Sequence, residues 1–463
     1  MHPVIPCRSE TSPRTNRPLW KAGTITYTTG GLVALFAWLL LGDFSWSMRD
    51  RSVGPMAMWY LNHLGVPNLL FGLLISSFPA FIGLVLGPVI SVKSDRHRGR
   101  WGRRIPFLLV TTPMAAAGMI GIAVTPLLAR WMHGHFPGQS EMVVSVACFA
   151  VFWATFEIAT VASYSVFGGL VNDVVPQPLL GRFYGLFRAV SLIDGVVFNY
   201  WIMGHVPNHF TLILLSVGVF YGVSFFLVCL RVREGEYPPP PSPEPGRRWP
   251  SGMWSEVRTY CRECFSNPYY LAVFLFLMGA GQAFMPVNTF SIPYANSLGV
   301  NMDSYGKALA LTFFISLLLA YPLGWLADIF HPLRVALVSL AGYFIVAICG
   351  AIFATTPQAF LVVFVMHGVL SGSYFTSAAS LGARLFPRVK FAQFASAALA
   401  VTSLATMTLT PLMGAIIDQT GNLYRLTYVL GAFTAAVALG VGWYVHARFV
   451  QLGGPKAYVP PES

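Results

Sequence analysis

Long apolar runs alternate with short polar breaks along this chain, and a run needs about 20 apolar residues to cross a bilayer. Twelve runs qualify: Leu32 to Tyr60, Leu69 to Val92, Pro106 to Arg130, Met142 to Gly168, Phe183 to Gly204, Phe210 to Arg231, Tyr269 to Ile292, Tyr305 to Ala327, Leu333 to Ala354, Gln358 to Phe386, Phe391 to Ile417 and Arg425 to Val450. One long polar interruption, Arg231 to Asn267, separates the sixth run from the seventh. Its Tyr237-Pro-Pro-Pro-Pro-Ser-Pro-Glu-Pro core cannot be helical, because proline fixes φ and lacks an amide proton, so it reads as an extended spacer. Beyond it, Met253, Trp254, Val257, Cys261, Cys264 and Phe265 recur at helical spacing, with Arg258, Arg262 and Glu263 on other faces. That pattern predicts a short amphipathic helix on the membrane surface.

The chain therefore reads as an all-α membrane protein with twelve transmembrane helices in two six-helix bundles. Residues 1–27 form an N-terminal tail, 28–231 the first bundle, 232–266 the linker, 267–450 the second bundle and 451–463 a C-terminal tail. Composition agrees: 55% of residues are hydrophobic and only 10% charged, which a soluble protein would not tolerate on its surface. The formal net charge of +12 could suggest nucleic acid, so its placement decides. If the runs alternate sides, 24 of the 29 Lys and Arg fall on the side of the tails and linker, leaving Arg49, Arg51, Arg130, Lys307 and Arg425 elsewhere. This asymmetry places both termini in the cytoplasm and the chain in the cell membrane, with lipid rather than nucleic acid as its surroundings. The six cysteines suggest no disulfide framework, and Cys261-Arg-Glu-Cys264 lacks the second pair of a zinc knuckle. The polar first 27 residues hold no cleavable signal peptide.

The densest charge is Ser94-Asp95-Arg96-His97-Arg98-Gly99-Arg100-Trp101-Gly102-Arg103-Arg104-Ile105-Pro106-Phe107, between the second and third runs. It resembles the loop between helices 2 and 3 of the major facilitator superfamily. Its Trp-Gly-Arg-Arg-x-Pro-Phe ending is similar to the branch of glycoside-pentoside-hexuronide cation symporters, with melibiose-type carriers and sucrose transporters. The resemblance implies the facilitator fold. Gly324-Trp-Leu-Ala-Asp328-Ile-Phe-His-Pro-Leu-Arg334 occupies the matching place in the second half. Asp95 and Asp328 are 233 positions apart, and Leu32 and Tyr269, which open the halves, 237, as a parallel repeat requires. Asp95, Arg96, Arg103 and Arg104, with the sparser Asp328 and Arg334, are expected to gate transport by latching the outward-facing state.

Polar residues inside apolar runs cost several kcal/mol unless paired or hydrated. The first run carries Asp43, Ser47, Asp50 and Gly54 within about 60° of one another, with Arg51 alongside. The fourth carries Glu157 near Thr160 and Tyr164. The fifth carries Arg188, Ser191, Gly195 and Asn199, with Asp194 about 120° from Arg188. The second half has no central carboxylate and offers Gln282, Asn288 and Thr289, then His367, Ser371 and Tyr374, then Thr402 and Thr406. Coupling charge thus belongs to the first half, through Asp43, Glu157 or Asp194. Substrate hydroxyls would meet Asp43, Trp46, Arg188, Gln282, Asn288, His367 and Tyr374. The ordinary alternatives are packing for Trp46, a helix-to-helix hydrogen bond for His367 and a topology anchor for Arg188.

The resemblance adds that Gly42-Asp43-Phe44 looks like the sugar-contacting element of melibiose-type carriers, and that Arg188 matches their arginine at the start of helix 5. Their sodium-site pattern D-x-x-x-D-P is absent, with Gly83 and Gly87-Pro88 in its place, so H+ is the expected coupling ion. The sequence holds no enzyme signature and calls for no cofactor and no metal. The expectation is a monomeric, proton-coupled importer of a sugar or glycoside. A non-transporting membrane delivery factor of the same fold and an exporter of another small solute are the alternatives.

Overall fold

The computed structural model describes residues 11–12, 15–18, 20–135, 138–238 and 251–461. The proline-rich spacer beyond Pro238 and the first ten residues lie outside them. The first half contains α1 (Thr29–His63), α2 (Asn68–Arg96), α3 (Ile105–His135), α4 (Glu141–Val174), α5 (Gln177–Val197) and α6 (Val206–Arg231). The second contains α7 (Pro268–Ser297), α8 (Met302–Phe330), α9 (Pro332–Phe353), α10 (Pro357–Ala378), α11 (Phe391–Gln419) and α12 (Leu426–Gln451). Each follows one apolar run, and several begin at a side chain that accepts a helical amide: Thr28, Ser140, Asn267, Asn301 and Thr356.

The path from Gln177 to Arg231 is one helical stretch of 55 residues. At about 1.5 Å per residue it is far too long for a single crossing of a core about 30 Å thick. A 3₁₀ turn over Met203–His205 separates α5 from α6, and the non-helical backbone of His209 (φ −130°, ψ 27°) kinks the first turn of α6. A π turn over Phe198–Ile202 prolongs α5, and another over Leu73–Ser77 lies inside α2.

Helix packing repeats between the halves. α1 with α6, α3 with α6, α3 with α4, α2 with α4 and α1 with α5 recur, six helices on, as α7 with α12, α9 with α12, α9 with α10, α8 with α10 and α7 with α11. Two principal seams join the halves, α2 against α11 and α5 against α8. At the face opposite the termini these seams are tight. A side chain on Gly72 would crowd the backbone of Thr410, one on Gly414 that of Asn68, and one on Gly306 the carbonyl of Asn199. There Asp418 accepts from the Asn68 amide at 2.8 Å and the Leu69 amide at 2.9 Å. Toward the termini the same seam helices separate, and Gly83, Gly87, Gly181, Gly185 and Gly324 have no neighbour within 4 Å of a built Cβ. The two halves thus form a V that opens on the face carrying the termini.

A hairpin and a linker helix flank the spans. The tail expected over residues 1–27 ends in a hairpin, Trp20–Ala22 with Ile25–Tyr27, turning at Gly23 (φ 56°). Polar tail residues hid this because only a two-residue turn with a glycine at positive φ carries the signal. The linker helix, Ser251–Phe265, docks on the start of α11 through Tyr260 to Ser396 (2.8 Å) and Glu263 to Gln393 (2.9 Å) and Lys390 (3.2 Å).

Candidate functional site

Positions 43, 46 and 50 stack on one face of α1 because they are three and four residues apart. Next to them, Arg49 is fully buried. Its guanidinium pairs with Asp50 (2.8 Å), donates to the Tyr221 hydroxyl on α6 (3.2 Å) and lies 3.9 Å from the Trp46 ring centroid. Glu157 on α4 lies close enough to interact electrostatically with Arg49. A buried guanidinium needs a counter-charge and filled donors, and this arrangement supplies both. Asp50 nevertheless keeps 43% of its side chain exposed in mid-helix.

Arg51 points elsewhere. It donates to Ser191 on α5 at 3.0 Å and lies 4.5 Å from the ring of Phe313 on α8, touching both helices of one seam. Asp194 is buried, and neither carboxylate oxygen has a hydrogen-bond partner. Asp43 is 7% exposed and leaves one oxygen unpartnered, while Arg188 is exposed toward the open side of α5. Asp43, Arg51 and Asp194 interact electrostatically but form no ion pair. The 120° offset read from the sequence likewise leaves Asp194 and Arg188 unpaired.

In the second half Asn288 is exposed on α7, and its side chain meets Nε2 of the buried His367 at 3.0 Å. The other ring nitrogen of His367 meets Tyr343 (3.3 Å), whose hydroxyl donates to the Ala283 carbonyl (2.8 Å). Gln282 is buried and donates to Thr406 at 2.8 Å. Tyr374 is buried among the rings of Phe276, Phe284 and Phe375, its hydroxyl without a partner. Trp46 is buried against Arg49, Phe167 and Phe225.

The expected substrate residues thus separate into two sets. Arg188 and Asn288 reach open space. Asp43, Trp46, Gln282, His367 and Tyr374 are buried behind that surface. The roles of Arg49, Asp50 and Arg51 went unassigned in the sequence, although three consecutive charges inside an apolar run were visible there. Among the described residues no group of His, Cys, Asp and Glu is arranged to hold a metal ion.

The arginine-rich loop forms a second cluster, at the termini face. Arg104 pairs with Asp95 and with Asp173 on α4 (3.3 Å) and donates to Ser94 at 2.8 Å, and Arg103 pairs with Asp173 at 2.6 Å. Glu234, just past α6, accepts from the amides of Arg103, Arg104 and Ile105 at 2.7–3.0 Å and so caps α3. Arg96 is exposed. The matching place in the second half holds an exposed Asp328–Arg384 pair (3.0 Å) and an Arg334 contact to His446 (3.1 Å). Each set ties helices within its own half. In this open V, each cluster is engaged inside its own half, and the denser one is in the first half.

Comparison with known proteins follows the same outline. A family model described as MFS/sugar transport protein matches residues 53–387. Among solved structures, a mutant of the nucleoside transporter NupG is 11% identical, with 89% of this chain and 99% of that one covered and a TM-score of 0.66. The D-xylose-proton symporter is 13% identical, with 89% and 97% covered and a TM-score of 0.65. A bacterial homologue of the human lysosomal transporter Spinster, inward-facing and unoccupied, is 14% identical, with 91% and 97% covered and a TM-score of 0.64. At such identities the likeness concerns the fold alone. No curated protein matches the chain.

Proposed function

Because the chain belongs to the MFS/sugar transport protein family, we propose that it imports a sugar or glycoside together with protons by alternating access. One observation carries this reading: the first half exposes charged side chains within its spans, Asp50 and Arg188, where the second half exposes the uncharged Asn288. Sugar hydroxyls can donate to Asp50 and accept from Arg188 and Asn288. Toward their middles, α1, α4 and α5 hold four carboxylates (Asp43, Asp50, Glu157, Asp194) against three guanidiniums (Arg49, Arg51, Arg188). A bound proton removes the surplus negative charge, and Asp194, with no partner for either oxygen, is its proposed carrier, followed by Asp43 and Glu157.

Arg51 supplies the coupling. It lies within electrostatic reach of Asp194 and touches Phe313 across the α5/α8 seam, so a change of charge on Asp194 alters a contact that must break when the halves rock. The positive charge of the basic loop and linker supports an open face toward the cytoplasm of a cell membrane, and with it an inward-facing state. The cluster of Asp95, Arg96, Arg103 and Arg104, with Asp328 and Arg334, would rearrange as that face closes. The D-xylose-proton symporter, by its name, moves a sugar with a proton on the same fold.

The test is uptake of labelled glycosides by proteoliposomes under an imposed pH gradient, inside alkaline. Accumulation that collapses with the gradient supports the reading. Uptake indifferent to the gradient removes proton coupling, and uptake of nucleosides in place of glycosides moves the substrate class.

A further inference from the structure

Between the arginine-rich loop and the segment following α6 lies a pocket of about 880 Å³ that the transport pathway does not use. Arg98, Arg100 and Arg233 rim it, and Ile105, Cys229 and Leu230 line its apolar part. It sits where α3 begins and α6 ends, at the level of the lipid headgroups. Leu230 is 46% exposed and Trp101, also in the wall, 49% exposed. An indole at that height is an interfacial anchor. The loop is a closed turn, Gly99 and Gly102 exchanging backbone hydrogen bonds with Gly102 at φ 99°.

The charges of the pocket are unequally committed. Arg98 donates to the carbonyls of Asp95, His97 and Pro238, which orient its guanidinium without neutralising it. Glu234 is spent on the amides of Arg103, Arg104 and Ile105 and on the Tyr237 hydroxyl. Glu236 is the remaining acid in the wall, against exposed Arg100 and Arg233 together with Arg98. A basic rim over an apolar floor that continues to a lipid-facing leucine suits a molecule with an anionic head and an apolar tail.

We propose that this pocket binds the phosphate-bearing headgroup of an anionic membrane lipid, with Arg100 and Arg233 as its charged contacts. A free phosphate compound would use the same guanidiniums but gain nothing from Ile105 and Leu230. Lipid binding to the purified full-length protein can be counted by native mass spectrometry with phosphatidylglycerol, phosphatidylcholine and soluble glycerol phosphate. Phosphatidylglycerol should bind in preference to phosphatidylcholine. The double variant Arg100→Gln/Arg233→Gln should weaken phosphatidylglycerol by about 30-fold at low salt, at about 1 kcal/mol for each arginine near the surface, and leave phosphatidylcholine unchanged. Arg182→Gln, an exposed arginine outside the pocket, should change neither. Undiminished phosphatidylglycerol binding by the double variant overturns the proposal, as does an equal loss in Arg182→Gln, which would mean diffuse surface charge. Competition by glycerol phosphate as effective as by the lipid would make this a soluble-anion site instead.

Discussion

The two halves pack their helices in the same pairs and bury different chemistry. The first carries seven charged side chains toward the middles of α1, α4 and α5, whereas the second relies on Asn288, His367, Tyr343, Gln282 and Thr406, bonded to one another or to backbone. The pseudo-symmetry of the fold is therefore carried by apolar and small residues, and charge is free to differ. A transporter built this way can load its ion on one bundle and move that bundle against a surface whose own charge does not change.

The contrast can be broken most completely at Asp194. Asp194→Asn should abolish gradient-driven accumulation while leaving sugar counterflow; if accumulation survives, the proton sits on Asp43 or Glu157. Arg49→Met should come next, lowering stability by roughly 3 kcal/mol because it strips a partner from a mostly buried charge network. Thermal unfolding in detergent measures this, and an unchanged melt would show that the first-half charges are structurally independent. At the loops, Asp173→Asn should cost about 2 kcal/mol, since it leaves two guanidiniums without their shared acid, whereas Asp328→Asn in its exposed pair should cost under about 1 kcal/mol. Equal losses would erase the asymmetry. Asn288→Ala should raise the sugar KM about tenfold, the worth of one hydrogen bond of about 1.4 kcal/mol, with little change in turnover.

A further prediction concerns pH. His331, at the start of α9 with φ 76°, accepts the Leu333 amide, and burial, with Arg384, Arg334 and His446 nearby, pushes its pKa down to about 4. Its ordinary value is 6.5, so the unfolded chain binds the proton first as pH falls, and stability declines between pH 6.5 and 4. His331→Asn keeps a capping side chain and tolerates positive φ, and should flatten that part of the melting profile.

The spans were legible because membrane-length runs leave few alternatives, and even the α5/α6 break fell where the apolar pattern lapses near His205. The stripe of Asp43 and Asp50 was legible from helical spacing alone. What spacing could not show was which polar groups satisfy each other across helices. Gln282 and His367 look available on a helical wheel and are engaged by Thr406 and Tyr343, residues 124 and 24 positions away. Asp173 and Glu234 lie in separate polar breaks, and only folding brings both to the arginines of the loop.

Glu234 also fixes where the connection between the halves begins. The linker is pinned to α3 there and to α11 at Tyr260, with twelve residues, 239 to 250, between Pro238 and the linker helix. Their contour length is at most about 43 Å, and the helix up to Tyr260 adds about 15 Å. The linker is therefore a tether whose stop lies at a separation of nearly 60 Å, and within that limit the angle of the V is set by the α2/α11 and α5/α8 seams.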